Sequence, residues 1–232
     1  MSESSYMQFC PVAMAAEVLC RRWTMVLLRE LVAGSSRFND LRRGVPRMSP
    51  ALLSRRLKEL EAAGVVRRVA SMREPGVSEY QLTEAGQDLR GVVEAIGFWG
   101  QRWVESEPSL QNLDVSLLMW DMRRNLDTTP MPRRRSVIQF RYPELPAAKR
   151  SYWLVIEPCE AVDLCSVDMG FDVDLYVTTD LRTMTAIWMG VDTVTAATAQ
   201  GRMVQTGDRQ FATQMQTWLG LSPFAKERKL AS

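Results

Sequence analysis

The stretch Ser49-Pro50-Ala51-Leu52-Leu53-Ser54-Arg55-Arg56-Leu57-Lys58-Glu59-Leu60-Glu61-Ala62-Ala63-Gly64 decides the fold. Ser49 before Pro50 is a capping hydroxyl followed by a proline at the first helical position, and Ala63-Gly64 supplies the stop, so the pattern predicts a helix. Leu53, Leu57 and Leu60 recur at spacings of four and three and share one face, which must bury against the segments before it. The other side carries Pro50, Ser54 and Lys58 in a row, with Ala51 and Arg55 beside it and Arg56 at the flank. A capped helix that is apolar behind and small, hydroxylic and basic in front has the make-up that reading a DNA major groove requires.

Working outward, Pro11 opens an apolar-periodic segment through Val12, Ala15, Ala16 and Leu19, and Trp23 begins another through Val26, Leu27, Leu31 and Val32, stopped by Gly34. A short helix, Phe38 to Arg43, ends at Gly44 and Pro46. Downstream, Val65 to Val69 reads as a strand paired with Val77 to Leu82 across a tip containing Arg73, Pro75 and Gly76. Helix-turn-helix followed by a hairpin is a winged helix. From Thr83, a good N-cap, a long helix carries Leu89, Val92, Ile96, Trp99 and Trp103, a stripe wider than a small domain can cover by itself.

Charge concentrates on the same region. The 232-residue chain has a formal charge of only +2, yet Arg21 to Arg73 holds thirteen Lys or Arg against four acids. A nucleic-acid footprint is a local field, so the segment matters more than the total.

Cys10-Pro-Val, Arg22-Trp23-Thr, Leu28-Arg-Glu-Leu31, Arg37-Phe38-Asn-Asp-Leu41, Leu53-Ser-Arg-Arg-Leu57, Leu60-Glu-Ala-Ala-Gly64 and Tyr80-Gln-Leu-Thr-Glu-Ala-Gly86 stand in order along about residues 9 to 105. This run resembles the HxlR-type winged-helix transcriptional regulators, relatives of the MarR group. The resemblance implies a DNA-binding homodimer that reads with the helix from Ser49 and joins its copies through terminal helices. Val12, Leu89, Val92, Ile96, Trp99 and Trp103 are the candidate dimer residues. Ser49, Pro50, Ala51, Ser54, Arg55, Arg56 and Lys58 are candidates for bases or nearby phosphates, and Arg37, Arg42, Arg43, Arg67, Arg68 and Arg73 for the DNA backbone. A two-fold dimer calls for an inverted-repeat operator with half-sites about 34 Å apart.

Other chemistries are narrowed by composition. Histidine is absent, which removes His-based triads and His-ligated zinc. Cysteines 10, 20, 159 and 165 are never two apart, so no zinc ribbon or CxxC motif can be drawn, and the expectation is no metal, no cofactor and a reduced, cytoplasmic protein. The polar start Met1-Ser2-Glu3-Ser4-Ser5 and the lack of a long apolar run predict neither secretion nor membrane spanning.

The expected organisation is α+β: a DNA-binding and dimerisation domain at 1–107, a linker at 108–114, a second domain at 115–225 and a tail at 226–232. In the second domain a helix at Val115–Leu126 precedes strands at Val137–Tyr142, Tyr152–Glu157, Val162–Val167 and Phe171–Thr178. Helices capped by Asp180 and Asp208 follow, closed by Gly190 and Gly220. The segment from Val173 to Thr193, with Gly201 to Asp208, is similar to the sterol-carrier-protein fold of about five strands with helices on one face. That resemblance implies a cavity for an apolar small molecule, with Trp120, Phe140, Trp153, Met184, Trp188, Met203, Phe211, Met215 and Trp218 as candidate lining.

Three alternatives stay open. Cys10, just before the first helix, is a candidate redox or electrophile sensor; the second domain could serve assembly or a protein partner only; and Asp172, Asp174 and Asp180 are acids that an enzyme could use. The acids fall on a solvated strand face or at a cap, so the expectation is no enzyme. The arginine triplet at 133–135 reads as a solvated loop.

Overall fold

The computed structural model describes residues 5–72, 74–105 and 110–231, so Arg73, most of the polar start and the Pro108 end of the expected linker lie outside the described residues. Two compact units result, Met1–Gly97 and Phe98–Ser232. The architecture is α+β, with a helix-turn-helix and wing in the first unit and a mixed sheet in the second.

In the first unit α1 (Pro11–Leu19), α2 (Thr24–Val32), α3 (Phe38–Gly44) and α4 (Pro50–Ala62) precede a hairpin of β1 (Val66–Ala70) and β2 (Ser78–Leu82), and then α5 (Glu84–Trp103). Pro11 and Pro50 occupy first-turn positions as their missing amides allow. The Ser49 hydroxyl accepts the Leu52 N–H at 3.3 Å, which caps α4. Leu53, Leu57 and Leu60 are fully buried with Leu27, Leu28, Leu31, Leu41 and Val45. Each such side chain contributes about 1.5–3 kcal/mol through burial.

The wing is antiparallel with Val66 opposite Leu82 and Arg68 opposite Tyr80. It is tied to the segment before α3, because the Tyr80 N–H donates to the Ser36 carbonyl at 2.7 Å and Arg37 bridges Glu79. Thr83 then caps α5: its hydroxyl donates to the Gly64 carbonyl at 2.6 Å and accepts the Gly86 N–H at 3.2 Å. Beneath α2 a buried carboxylate, Glu30, accepts from Arg29 and from the Ser35 hydroxyl, and α3 ends against it at Gly44.

The second unit contains α6 (Val115–Asn125), β3 (Ser136–Arg141), β4 (Ser151–Ile156), β5 (Asp163–Cys165), β6 (Leu175–Thr179), α7 (Leu181–Trp188), α8 (Val194–Ala199), β7 (Met203–Gly207), α9 (Arg209–Thr213) and α10 (Met215–Trp218). The sheet order is β5-β4-β3-β6-β7; β3 and β6 run parallel and the other neighbours antiparallel. Alternation sorts the two faces. Ile138, Phe140, Leu154, Leu175 and Val177 bury under side chains from the helices, whereas Val137, Trp153 and Val155 form a small cluster on the opposite face.

Three expected elements are shorter or more broken than the sequence suggested, the first being the strand expected at Val162–Val167, of which only Asp163–Cys165 forms. The strand foreseen from Phe171 begins only at Leu175. Asp174 ends the ladder there, because its carboxylate takes the Val137 N–H at 2.8 Å and pairs with Arg134 at 2.8 Å, while Phe171 and Val173 turn under the Trp153 face. The helix foreseen from Asp208 divides at Gln214 into α9 and α10, although the Trp218 indole still donates to the Phe211 carbonyl at 2.8 Å.

The last segment of the chain fastens the end of α5. The ring of Phe224 meets Phe98 edge-on at 5.4 Å, Glu227 pairs with Arg102 at 2.6 Å, and the amides of Leu230 and Ala231 both donate to the Arg102 carbonyl at 2.9 Å. Among the described residues no helix is long and apolar enough to cross a membrane, and no cluster of His, Cys, Asp and Glu could hold a metal ion.

Candidate nucleic-acid interface

The outer side of α4 is built as a consequence of its buried leucines. Ser49, Pro50, Ala51, Arg55 and Lys58 are exposed and Ser54 is half-buried among them. The Arg55 side chain is 72% exposed, with its Nε donating to Glu59 Oε1 at 3.0 Å.

Arg56 occupies a different place from its neighbour. Its side chain is only 14% exposed, Nε donates to the Arg22 carbonyl at 3.1 Å, and Nη1 lies 2.5 Å from Glu59 Oε2. It therefore ties α4 to the corner between α1 and α2. Glu59 gathers a third cation, Arg21, at 3.4 Å. Burial pushes the Glu59 carboxyl up, but the hydrogen bonds from Arg56 and Arg55 and the surrounding positive charge outweigh it and hold the group below its ordinary range.

Between α3, Ser54 and the wing lies an open groove of about 650 Å³, lined by Arg37, Asn39, Asp40, Arg43, Ser54, Arg68, Glu74, Ser78 and Tyr80, among others. Arg68 and Arg43 offer positive charge along it, and Arg42 is exposed on α3. Three of the expected backbone arginines have partners within the first unit, the first being Arg43, which pairs with Asp40 at 3.3 Å. Arg37 pairs with Glu74 at 2.9 Å and Glu79 at 3.6 Å, which raises its pKa, foremost through the Glu74 hydrogen bond. Arg67 donates across the hairpin to Gln81 at 3.2 Å. Sequence reasoning passed over Glu59, Asn39 and the exposed Arg47; the i to i+4 spacing of Arg55 and Glu59 was the available signal for the first.

The α5 stripe is exposed where the sequence placed it, except at its start. Val92 and Ile96 are exposed, Trp99 is 61% exposed and Trp103 52%, whereas Leu89 packs against the first unit's core. Val12 is also exposed, with Tyr6, Met7, Phe9 and Met14 nearby in sequence.

Seven of the nine candidate lining residues, Phe140, Met184, Trp188, Met203, Phe211, Met215 and Trp218, join one continuous core in the second unit. Trp153 lies on the other face of the sheet, and Trp120 is buried with the Arg123 guanidinium 4.0 Å from its ring centre. Those two do not belong to the core that the seven share. The acids considered for catalysis are occupied or solvated: Asp174 holds Val137 and Arg134, Asp180 caps α7 through Thr183, and Asp172 is exposed. Arg134 and Arg135 pair with Asp174 and Glu157.

Cys10 is an exposed free thiol at the N-terminus of α1. The Ala13 amide, and after it the Val12 amide, hold the thiol below its ordinary range.

Residues 18–108 match the model of the HxlR-like helix-turn-helix family. The HTH-type transcriptional regulator YvaP of Bacillus subtilis is 35% identical over 99 residues, which are 42% of this chain and 92% of that protein. YdeP of the same organism is 32% identical over 102 residues, 44% of this chain and 80% of that protein. Among solved structures, the reduced form of the transcriptional regulator YodB from B. subtilis is 31% identical, covering 43% of this chain and 98% of that one with a TM-score of 0.37. By the identity to YvaP and YdeP and the share of each that is matched, the chain belongs to the HxlR-like helix-turn-helix family of transcriptional regulators, which are not enzymes.

Proposed function

We propose that the protein is a homodimeric, sequence-specific regulator that works in the cytoplasm, reads duplex DNA with α4 and is modulated through its second unit. The observation that carries this reading is the division of α4 into a buried leucine face and an exposed face of Ser49, Ala51, Ser54, Arg55 and Lys58. Arg55 supplies a fork that can meet guanine O6 and N7, and Lys58, Arg42, Arg43 and Arg68 supply charge for phosphates. The exposed Val92, Ile96, Trp99 and Trp103 support the dimer, since a monomer has no reason to leave two tryptophans in water. A dimer pairs two reading helices with an inverted repeat.

For the second unit the proposal is a sterol-carrier-protein-like module that admits an apolar molecule. What supports it is the five-stranded mixed sheet with helices on one face and a core holding Met119, Met122, Met131, Met184, Met203 and Met215. Methionine cores repack at low cost, so an effector can enter by displacing side chains. It acts only through a difference in affinity between DNA-competent and incompetent states.

The test has two arms. Binding of the protein to duplexes selected from a random-sequence pool, measured across salt concentrations, must give a preferred sequence. Native mass spectrometry of small molecules released from the purified protein, followed by the same binding measurement with each one added, must give a molecule that changes affinity; an unloaded protein that no apolar molecule affects removes the effector. Cys10 supports a second reading, because its exposed, acidified thiol suits an electrophile. Alkylating it and finding DNA affinity unchanged excludes that route.

A further inference from the structure

We infer that Glu59 is a positioning residue for DNA reading: it holds the Arg55 guanidinium in one orientation on the outer face of α4 and so sets sequence discrimination. This rests on the proposed function and names the residue on which its specificity depends.

The geometry is a relay. The Arg22 carbonyl accepts Arg56 Nε at 3.1 Å, Arg56 Nη1 meets Glu59 Oε2 at 2.5 Å, and Glu59 Oε1 accepts Arg55 Nε at 3.0 Å. Arg21 adds a further cation at 3.4 Å. The carboxylate is thus fixed from behind by the corner between α1 and α2, and what it presents to Arg55 is a set direction. With Nε committed, the end of the guanidinium, one N–H from each terminal nitrogen, is left pointing outward in the fork that matches guanine O6 and N7.

Helix stability does not account for the pair. Arginine four residues before glutamate is the less favourable order on a helix, a carboxylate in the second half of a helix opposes the macrodipole, and a pair with one member this exposed contributes little. Glu59 also borders the shallow depression formed by Ser54, Arg55 and Lys58, where a negative charge weakens attraction to phosphate. A carboxylate that lowers general affinity while orienting the reading group raises the ratio of specific to non-specific binding.

The experiment uses the full chain, a duplex enriched from a random-sequence pool by the wild-type protein, and the same duplex with its bases shuffled. In Glu59→Ala the ratio of the two affinities falls about tenfold, while affinity for the shuffled duplex holds or rises. In an Arg55→Ala background, adding Glu59→Ala leaves the ratio unchanged, since the effect passes through Arg55. Glu59→Gln serves where the alanine variant does not fold; Arg55 and Arg56 use different carboxylate oxygens, and with the amide oxygen kept by Arg56 the uncharged glutamine presents an N–H to Arg55, so the ratio falls there too. An unaltered ratio, a parallel loss on both duplexes, or additive effects with Arg55→Ala would each overturn the inference. A pool that yields no preferred sequence overturns the DNA-reading assignment itself, and this inference with it.

Discussion

Gly44 lies against the buried carboxylate of Glu30 so closely that a β-carbon on the glycine would stand 1.9 Å from the Glu30 carboxyl carbon. Arg29 completes the arrangement, bonding Glu30 and donating to the Gly44 carbonyl at 3.1 Å. The end of α3, and with it the turn into α4, is therefore set by a charge that needs a neighbour without a side chain. Gly44→Ala should destabilise the first unit by about 1–3 kcal/mol, the cost of overpacking a closed site. Urea denaturation followed by circular dichroism checks it; a midpoint equal to wild type means that Glu30 moves aside freely.

Adjacent arginines on α4 should respond differently. Arg55→Ala is expected to weaken binding to the preferred duplex by about 1–3 kcal/mol and relax one base position with the melting temperature unchanged. Arg56→Ala removes a charged hydrogen bond to the Arg22 carbonyl and should lower folding stability by about 1–3 kcal/mol. Measuring both quantities for both variants separates a reading residue from a structural one.

Phosphate contacts carry their own signature. Arg68→Ala and Lys58→Ala should weaken preferred and shuffled duplexes alike and reduce the slope of log affinity against log salt by about one each. A base-specific loss at either position would assign it to the reading group.

If the proposed dimer forms through the α5 stripe, Trp99→Ala combined with Trp103→Ala shifts it toward monomer in sedimentation equilibrium, by at least tenfold in dissociation constant where each ring loses about 1 kcal/mol or more. Thermal stability measured at a concentration where both proteins are monomeric should change little, because both rings are already exposed.

The Cys10 thiol offers a pH test. Its pKa is lowered in the folded state by the Ala13 and Val12 amides, so thiolate is present at pH values where an unstructured thiol is protonated. The alkylation rate of Cys10, followed by peptide mass analysis, should therefore inflect at lower pH in the native protein than in urea. The associated stabilisation is present above the unfolded pKa and fades as pH falls through the folded one. Coincident inflections in the two states would remove the helix end as the cause.

The first unit was legible because its signals are local. Ser49-Pro50, the leucine spacing of α4, Thr83 and Pro75-Gly76 each specify a cap, a face or a turn within a few residues. The site was legible only in part, since Arg37, Arg56 and Arg67 differ from Arg55 and Arg68 through partners distant in sequence, such as Glu74, the Arg22 carbonyl and Gln81. Composition counts all five alike. In the second unit the caps at Asp180 and Asp208 were readable, but the late start of β6 was not, because Asp174 trades a ladder position for bonds to Val137 and Arg134. Trp153 likewise looked like its neighbours until strand parity assigned it to the other face.

The amides of Leu230 and Ala231 that rest on the Arg102 carbonyl, together with Phe224 on Phe98, have a practical corollary for handling this molecule. A version trimmed after Leu221 would leave the final turn of the long helix unanchored beside Trp99 and Trp103, so shortening the chain or loading its far end with a purification handle would weaken the proposed self-association without touching a single residue of the stripe.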